Sequence, residues 1–99
     1  MIKDLYEMMQ FPEQGIFSTV IAKSPTYNYT LMCFSKGTEL EEHTSTKTAA
    51  ISVLQGKGSI TINGKKNILQ QGLFIMMQPN TPHSLKAEED LAILVLLTS

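Results

Sequence analysis

The 99-residue chain contains no arginine, and its formal net charge at neutral pH is −1. All eight cationic side chains are therefore lysines. Domains that bind nucleic acids carry a basic stripe and use arginine forks on bases and phosphates. Because both features are missing, we expect no nucleic-acid partner. The absence of arginine also excludes a bidentate guanidinium clamp on a carboxylate or phosphate substrate.

Cysteine is nearly absent, since Cys33 is the only one in the chain. A single cysteine forms no internal disulfide, and no CxxC pair of the kind that binds zinc is present. Cys33 lies between Met32 and Phe34 in an apolar segment. We therefore expect a buried thiol that packs as a small hydrophobic side chain, in preference to a reactive nucleophile.

Long apolar runs are also missing from the sequence. No stretch approaches the roughly 18 consecutive apolar residues that indicate a membrane span. The N-terminus, beginning with residues 1–5, does not have the charged start followed by a long apolar run that is typical of a signal peptide. These absences lead us to expect a cytoplasmic protein with no membrane partner.

The chain does contain a series of short segments rich in Val, Ile, Thr, Tyr and Phe, separated by turn residues. This pattern is typical of β-strands joined by hairpins. It indicates one domain over residues 1–99, with one or two helical turns at 3–10. The predicted strands span 16–23, 27–34, 48–55, 58–62, 73–77, 83–87 and 91–98.

Seven or more short strands at this spacing predict an all-β fold, a sandwich or an antiparallel barrel. Residues 59–62 alternate polar and apolar side chains, as expected for a strand with one buried face. The final segment, 91–97, is apolar on both faces and must be covered on both. A barrel buries only one of these faces. We expect the other to pack on the N-terminal segment or on a second subunit, and we predict a homodimer.

Two stretches of the chain have distinctive spacing. The first, 37–56, has key positions separated by five, one, three and six residues, which are Gly37, His43, Ser45, Ala49 and Gly56. In the second stretch, 72–87, the key positions are Gly72, Gln78, Asn80, His83 and Ala87. These spacings resemble the two cupin motifs, and residues 42–97 are similar to small single-domain cupins, most of which lack an assigned function. The resemblance implies a double-stranded β-helix, the jelly-roll-like barrel of cupins.

The resemblance also implies where a metal would bind. Cupin metal sites use three histidines and a glutamate, and the matching residues here are His43, Ser45, His83 and Ala49. Two imidazoles therefore remain, while serine is a poor ligand and alanine is none. A Zn, Ni, Mn or Fe ion would need a third protein donor.

Glu41 is the first candidate for that third donor, because residues two apart on a strand share a face and Glu41 precedes His43 by two. Gln55 and Cys33 are weaker candidates. The competing interpretation is that Glu39, Glu41 and Glu42 form a solvent-exposed turn, as carboxylates usually remain in water.

Loss of two of the four donors favours a cupin that binds a small molecule in the barrel mouth, with little or no metal-dependent catalysis. An apolar cavity with a few convergent polar groups is a general ligand site. The expected pocket wall consists of His43, Ser45, Met76 and His83. Two alternatives stay open. One is a metal-dependent dioxygenase or a sugar or keto-acid isomerase that uses the two histidines, and the other is a regulatory or structural partner protein.

Overall fold

The computed structural model describes residues 1–99 as one helical turn followed by nine strands. Helix α1 spans Leu5–Met8, and Asp4 caps it by accepting hydrogen bonds from the backbone N–H groups of Tyr6 and Glu7. No helix in the chain has the length or apolar character needed to cross a membrane. The strands are β1 (Ile16–Lys23), β2 (Tyr27–Phe34), β3 (Glu39–His43), β4 (Thr48–Gln55), β5 (Lys57–Ile62), β6 (Lys65–Gln70), β7 (Phe74–Met77), β8 (His83–Ala87) and β9 (Leu91–Thr98).

The strands form two antiparallel sheets. The first has five strands in the order β1-β2-β9-β4-β7, and the second has four in the order β3-β8-β5-β6. Inward side chains of both sheets meet in one core, which includes Phe34, Ile51 and Ile93 from the first sheet and Ile60 and Leu85 from the second. The predicted all-β barrel with antiparallel strands is therefore confirmed.

Two strands were not predicted from the sequence, and they are the two edges of the four-stranded sheet. Strand β3 contains three glutamates, and β6 contains two lysines and an asparagine. Charged side chains are common on edge strands, where they discourage pairing with another chain. The segment expected to be a solvent-exposed turn, Glu39–Glu42, is thus a strand whose acidic side chains remain in solvent.

The motif glycines are required by backbone conformation. Gly37, Gly56 and Gly72 have φ values of 87°, 92° and 92°, which L-residues adopt only at a cost. Gly56 is more constrained, because a Cβ atom there would collide with the backbone carbonyl oxygen of Asp90. At Gly72 a Cβ atom would meet nothing within 4 Å.

The N-terminal segment packs against the outer face of the five-stranded sheet. Leu31, Cys33 and Ala92 form a small second core there, and Met8 and Phe11 pack against it together with Met9, Phe17, Ile21 and Leu54. This cover reaches one end of β9 only. Burial in this cluster raises the pKa of the Cys33 thiol, although a backbone hydrogen bond at Gln10 opposes the shift.

Gly56 and Gly72 have the same φ value, so alanine variants of both separate the cost of backbone strain from the cost of the close contact at Gly56. Gly72→Ala should lower the free energy of unfolding by about 1 kcal/mol, since only the backbone conformation is strained. Gly56→Ala should cost about 3 kcal/mol, because the added methyl group also displaces the Asp90 carbonyl. Urea unfolding of both variants measures the difference. Equal losses would show that the close approach of Gly56 to the Asp90 loop does not constrain the turn.

The buried thiol predicts slow modification in the native state. At mildly alkaline pH, Ellman's reagent should react with native Cys33 roughly 100-fold more slowly than with the urea-unfolded chain, because the thiolate is disfavoured and the sulfur is covered. Because the pKa of Cys33 is raised in the native state, the thiol of the unfolded chain loses its proton at a lower pH than the native thiol does. The free energy of unfolding should therefore fall as the pH rises above the ordinary pKa of a thiol. Equal labelling rates would contradict the packing of the N-terminal segment.

Candidate functional site

The barrel interior is only partly filled by side chains. A cavity of about 550 Å³ lies between the two sheets at the end where β3 and β8 meet. Most of its wall is apolar and comes from Met32, Leu40, Ala49, Ile51, Met77, Leu85, Ile93, Val95 and Leu97. The polar part of the wall comes from His43, Thr44, Ser45, Thr46 and His83.

The two histidines are direct neighbours across the β3–β8 pair. His43 ends β3 and His83 begins β8, and the antiparallel register places them opposite each other. Their ring centroids are 4.2 Å apart, and the ring planes are inclined at 59°. His83 is buried, while His43 lies at the exposed rim of the cavity. The convergence expected from the motif spacing is therefore present.

Each imidazole is held by a backbone carbonyl two residues earlier in the chain. The Nδ1 atom of His43 is 2.8 Å from the oxygen of Glu41, and that of His83 is 2.9 Å from the oxygen of Thr81. A carbonyl oxygen only accepts hydrogen bonds, so Nδ1 must carry the proton in both rings. In a neutral ring, the Nε2 atom then has a free lone pair. The cavity is thus lined by two imidazoles that offer acceptors of the same kind.

A β-bulge prevents Glu41 from joining the histidines. Leu40 lies opposite Leu85 and His43 opposite His83, so three steps along β3 match two steps along β8. This irregularity breaks the alternation that was expected to place Glu41 beside His43, and that prediction is wrong. The Glu41 side chain lines a separate groove on the outer surface of the four-stranded sheet. Only its backbone oxygen contributes, by orienting the His43 ring.

The methionine predicted to line the pocket is also the wrong one of a pair. Met76 is 62% exposed and faces outward, whereas Met77 is 4% exposed and lines the cavity. The β4–β7 register explains why Met77 and not Met76 faces inward. Met77 lies opposite the inward residue Ala49, while Met76 lies opposite Ala50 on the outer face. Alternation along β7 requires one methionine on each side, and it does not decide which one.

Ser45 and Ala49 both line the cavity, as the spacing suggested, but they lie on different elements. Strand β3 ends at His43, and Ser45 belongs to the loop before β4. Its Oγ atom accepts a hydrogen bond from the backbone N–H of Lys47 at 3.1 Å, and its backbone oxygen accepts one from Asn80 at 2.6 Å. The first bond orders the loop itself, and the second ties the two motif loops together at the cavity mouth.

The donor set does not fit the four-donor cupin metal site. Nowhere in the structure do three His, Cys, Asp or Glu side chains converge in a way that could hold a metal ion. Of the proposed third donors, Glu41 faces outward, and neither Gln55 nor Cys33 belongs to the cavity wall. Cys33 instead lies in the cluster beneath the N-terminal segment. The two imidazoles therefore have the correct tautomer for metal ligation but lack further protein donors.

Several wall residues were not predicted from the sequence. Thr44 and Thr46 lie in the loop that follows β3, where no strand pattern exists to orient them. Val95 and Leu97 could have been found, because they share a strand face with Leu91 and Ile93. That signal is masked in the sequence, since the alternate residues of β9 are equally apolar.

Restoring the missing donors tests whether the cavity keeps the cupin geometry. In the double variant Ser45→His, Ala49→Glu, the affinity for Ni²⁺ or Zn²⁺ should rise roughly 100-fold over the wild-type chain, since two ligands join two oriented imidazoles. The matched control is Thr61→His, Ala50→Glu, which adds the same groups on outer faces. Titration calorimetry after chelator treatment measures both variants. Equal affinities for the two would contradict the convergence of positions 43, 45, 49 and 83.

Comparisons with known proteins agree with this architecture. The family Cupin_2, described as a cupin domain, matches residues 30–98. A conserved protein of unknown function from Streptococcus pyogenes, SPY1581, aligns with 100% of this chain and 87% of its own at 24% identity and a TM-score of 0.90. A cupin superfamily protein from Desulfitobacterium hafniense aligns with 95% of this chain and 86% of its own at 20% identity and a TM-score of 0.90.

A third solved structure shares more of its sequence with this chain. The cupin 2 conserved barrel domain protein from Leptotrichia buccalis is 30% identical over 95% of this chain and 46% of its own, with a TM-score of 0.89. No functionally curated protein matches significantly. Since the family match covers more than half of the residues and includes β3, β4 and β8, which carry the histidine pair and Ala49, the chain belongs to the cupin family.

Proposed function

We propose that this protein binds a small uncharged molecule in the barrel mouth, with little or no metal-dependent catalysis. The observation that carries the proposal is the cavity of about 550 Å³, whose mostly apolar wall includes two oriented imidazoles. Small-molecule sites usually enclose about 300–1,000 Å³ and combine apolar walls with a few placed polar groups. The ligand class follows from the chemistry of this wall.

The charge of the wall favours an uncharged ligand. The residues around the cavity include no lysine, aspartate or glutamate. A charged group taken from water into such a site would lose its hydration without gaining an ionic partner, which costs several kcal/mol. Glu39, Glu41, Lys66 and Lys86 instead line a separate groove on the outer surface of the four-stranded sheet.

The polar groups of the wall favour a ligand that donates hydrogen bonds. Because Nδ1 of each imidazole is held by a carbonyl, the Nε2 atoms of His43 and His83 act as acceptors in the neutral rings. A hydroxyl group on an otherwise apolar molecule satisfies these requirements. The threonine hydroxyls at positions 44 and 46 can turn to donate or accept as the ligand demands. A phenol or a cyclic alcohol is the simplest member of this class.

Catalysis is less well supported by the same residues. The Ser45 hydroxyl already accepts a hydrogen bond from the backbone of Lys47, and no carboxylate orients either histidine as a general base. The metal-dependent enzyme would need a third donor that the cavity wall lacks. A purely structural partner protein would be expected to have a filled barrel, which the open cavity disfavours.

Blocking the cavity should abolish ligand binding. Ala49→Phe places a ring inside the cavity, whereas Ile68→Phe adds the same ring to an outward residue that is 65% exposed. Phenol and cyclohexanol should shift the NMR signals of cavity residues in the wild type and in Ile68→Phe, but not in Ala49→Phe. Benzoate, the charged counterpart, should bind at least about tenfold more weakly than phenol. Equal binding of benzoate, or binding retained by Ala49→Phe, would refute the proposal.

Removal of one imidazole acceptor should weaken the binding of only those ligands that donate a hydrogen bond. His43→Phe keeps an aromatic ring at the rim but deletes Nε2, so phenol affinity should fall about fivefold to tenfold, the equivalent of one net hydrogen bond. Toluene has no hydroxyl group and should bind the variant as well as the wild type. The dissociation constants of phenol and of toluene, each measured for the wild type and for His43→Phe, form a thermodynamic cycle that isolates the contribution of the hydrogen bond. If His43→Phe changes the affinities for phenol and for toluene by the same factor, the imidazole contributes only packing to ligand binding.

A further inference from the structure

The outer face of the four-stranded sheet carries a groove of about 340 Å³, whose floor is formed by the two central strands, β8 and β5. Three hydroxyl side chains lie on this floor, Ser84 from β8 and Ser59 and Thr61 from β5. They face outward because their strand neighbours Leu85 and Ile60 belong to the core. Ligand pockets usually enclose about 300–1,000 Å³, so this groove is suited to a molecule of about one ring.

The strand register brings the three hydroxyl groups close together. Ser84 lies directly opposite Thr61 in the β5–β8 pair, and Ser59 precedes Thr61 by two residues on the same face of β5. The Cβ atoms of directly opposed residues are about 4.5–5.5 Å apart. Residues two apart along a strand are separated by about 6.5–7 Å. The hydroxyl groups therefore form a triangle that one six-membered ring with several hydroxyl substituents can span.

The two buried serines of the chain differ in their hydrogen bonding. Ser35 is 5% exposed, and its hydroxyl contacts the carbonyl oxygen of Gly15 and the hydroxyl of Thr38. Ser59 is 7% exposed, and its hydroxyl has no hydrogen-bond partner within the chain. Since no fully buried polar side-chain atom lacks a partner, the Oγ atom of Ser59 must reach the groove. A hydroxyl in this position adds nothing to the internal hydrogen bonding, but it is available to a ligand.

Charged side chains of both signs surround this hydroxyl floor. Glu39 and Glu41 extend from the edge strand β3, Lys66 extends from the opposite edge strand β6, and Lys86 lies between Glu39 and Ser59 on β8. Two carboxylates and two ammonium groups have no net charge, so a charged ligand would be attracted by one pair and repelled by the other. An uncharged ligand with several hydroxyl groups can donate to the carboxylates and accept from the ammonium groups.

We propose that this groove is a second binding site, which takes an uncharged monosaccharide in its ring form. Ser59, Thr61 and Ser84 bond to one side of the sugar, and the exposed carboxylates and ammonium groups bond to its remaining hydroxyl groups. Each sugar hydroxyl both donates and accepts, as a wall of this mixed composition requires. His83 lines the barrel cavity while its neighbour Ser84 lines the groove, so the two sites lie on opposite faces of the sheet. The proposal is therefore independent of the proposed cavity ligand.

Titration with D-glucose, D-galactose, D-mannose and D-xylose, followed by ¹⁵N–¹H NMR, tests this site. At least one of these sugars should shift the amide signals of residues 59, 61 and 84, with a dissociation constant on the order of 1–10 mM. Ser59→Ala should weaken the binding about threefold to tenfold, the equivalent of one net hydrogen bond. Thr61→Val, which replaces a hydroxyl with a methyl group of similar size, should have the same effect. The urea midpoint of Ser59→Ala should not fall, because the hydroxyl has no partner within the chain.

The matched control is Ser18→Ala, because Ser18 is an exposed strand serine of the five-stranded sheet and the same change there should leave sugar binding unaltered. Groove signals that stay unshifted with all four sugars would overturn the proposal. A lower urea midpoint of Ser59→Ala with unchanged sugar affinity would also overturn it, by giving the hydroxyl a structural role.

Two further probes test the location of the sugar and its charge. Ala49→Phe blocks only the cavity, so it should bind the sugar as well as the wild type does. Loss of sugar binding in this variant would assign the sugar to the cavity and overturn the proposal. D-glucuronate and D-glucosamine each add one charge to the glucose ring and should bind more weakly than the best of the four neutral sugars. Tighter binding of either would contradict the assignment of an uncharged ligand.

Discussion

The structure depends on the need to cover both faces of β9. One face completes the core with Leu91 and Ile93 and then, at Val95 and Leu97, becomes the wall of an open cavity. On the other face the N-terminal segment covers the region of Ala92, and Leu94 and Leu96 are half-buried. Burial of apolar surface stabilises by about 25 cal/mol per Å². A strand of this composition therefore explains the core, the cavity wall and the N-terminal cover together.

The cavity mouth combines the cupin barrel with only two of the four donors of a cupin metal site. His43 and His83 lie opposite each other across the β3–β8 pair, and a backbone carbonyl holds Nδ1 of each ring. Metal-binding histidines are usually oriented in this way, with the second ring nitrogen hydrogen-bonded to an oxygen atom. Because the other two donor positions are Ser45 and Ala49, the wall has two imidazole acceptors in mostly apolar surroundings. The same oriented atoms that could ligate a metal can equally accept hydrogen bonds from a hydroxyl group. A fold supports many functions, and here the chemistry of the wall distinguishes among them.

Much of the fold was predictable because seven of the nine strands are segments rich in β-branched, aromatic or aliphatic residues between turn residues. The errors occurred where that signal is absent or does not decide which way a side chain faces. The edge strands β3 and β6 are mainly polar and resemble turns. The bulge before His43 reversed the expected side of Glu41, since one extra residue inverts the alternation. Met76 and Met77 are chemically identical neighbours, so only their pairing with Ala50 and Ala49 shows which one faces inward. Pairing partners distant in sequence decide each of these cases.

The most direct test of the account is the protonation state of the two imidazoles, because the ligand class rests on their tautomers. Long-range ¹⁵N–¹H NMR spectra of the histidine rings, recorded above neutral pH on chelator-treated protein, distinguish Nδ1–H from Nε2–H. We expect both His43 and His83 to carry the proton on Nδ1. We also expect the Nε2 signals to move when phenol is added. An Nε2–H tautomer in either ring, or Nε2 signals unchanged at saturating phenol, would contradict the account of the barrel mouth as a paired hydrogen-bond acceptor.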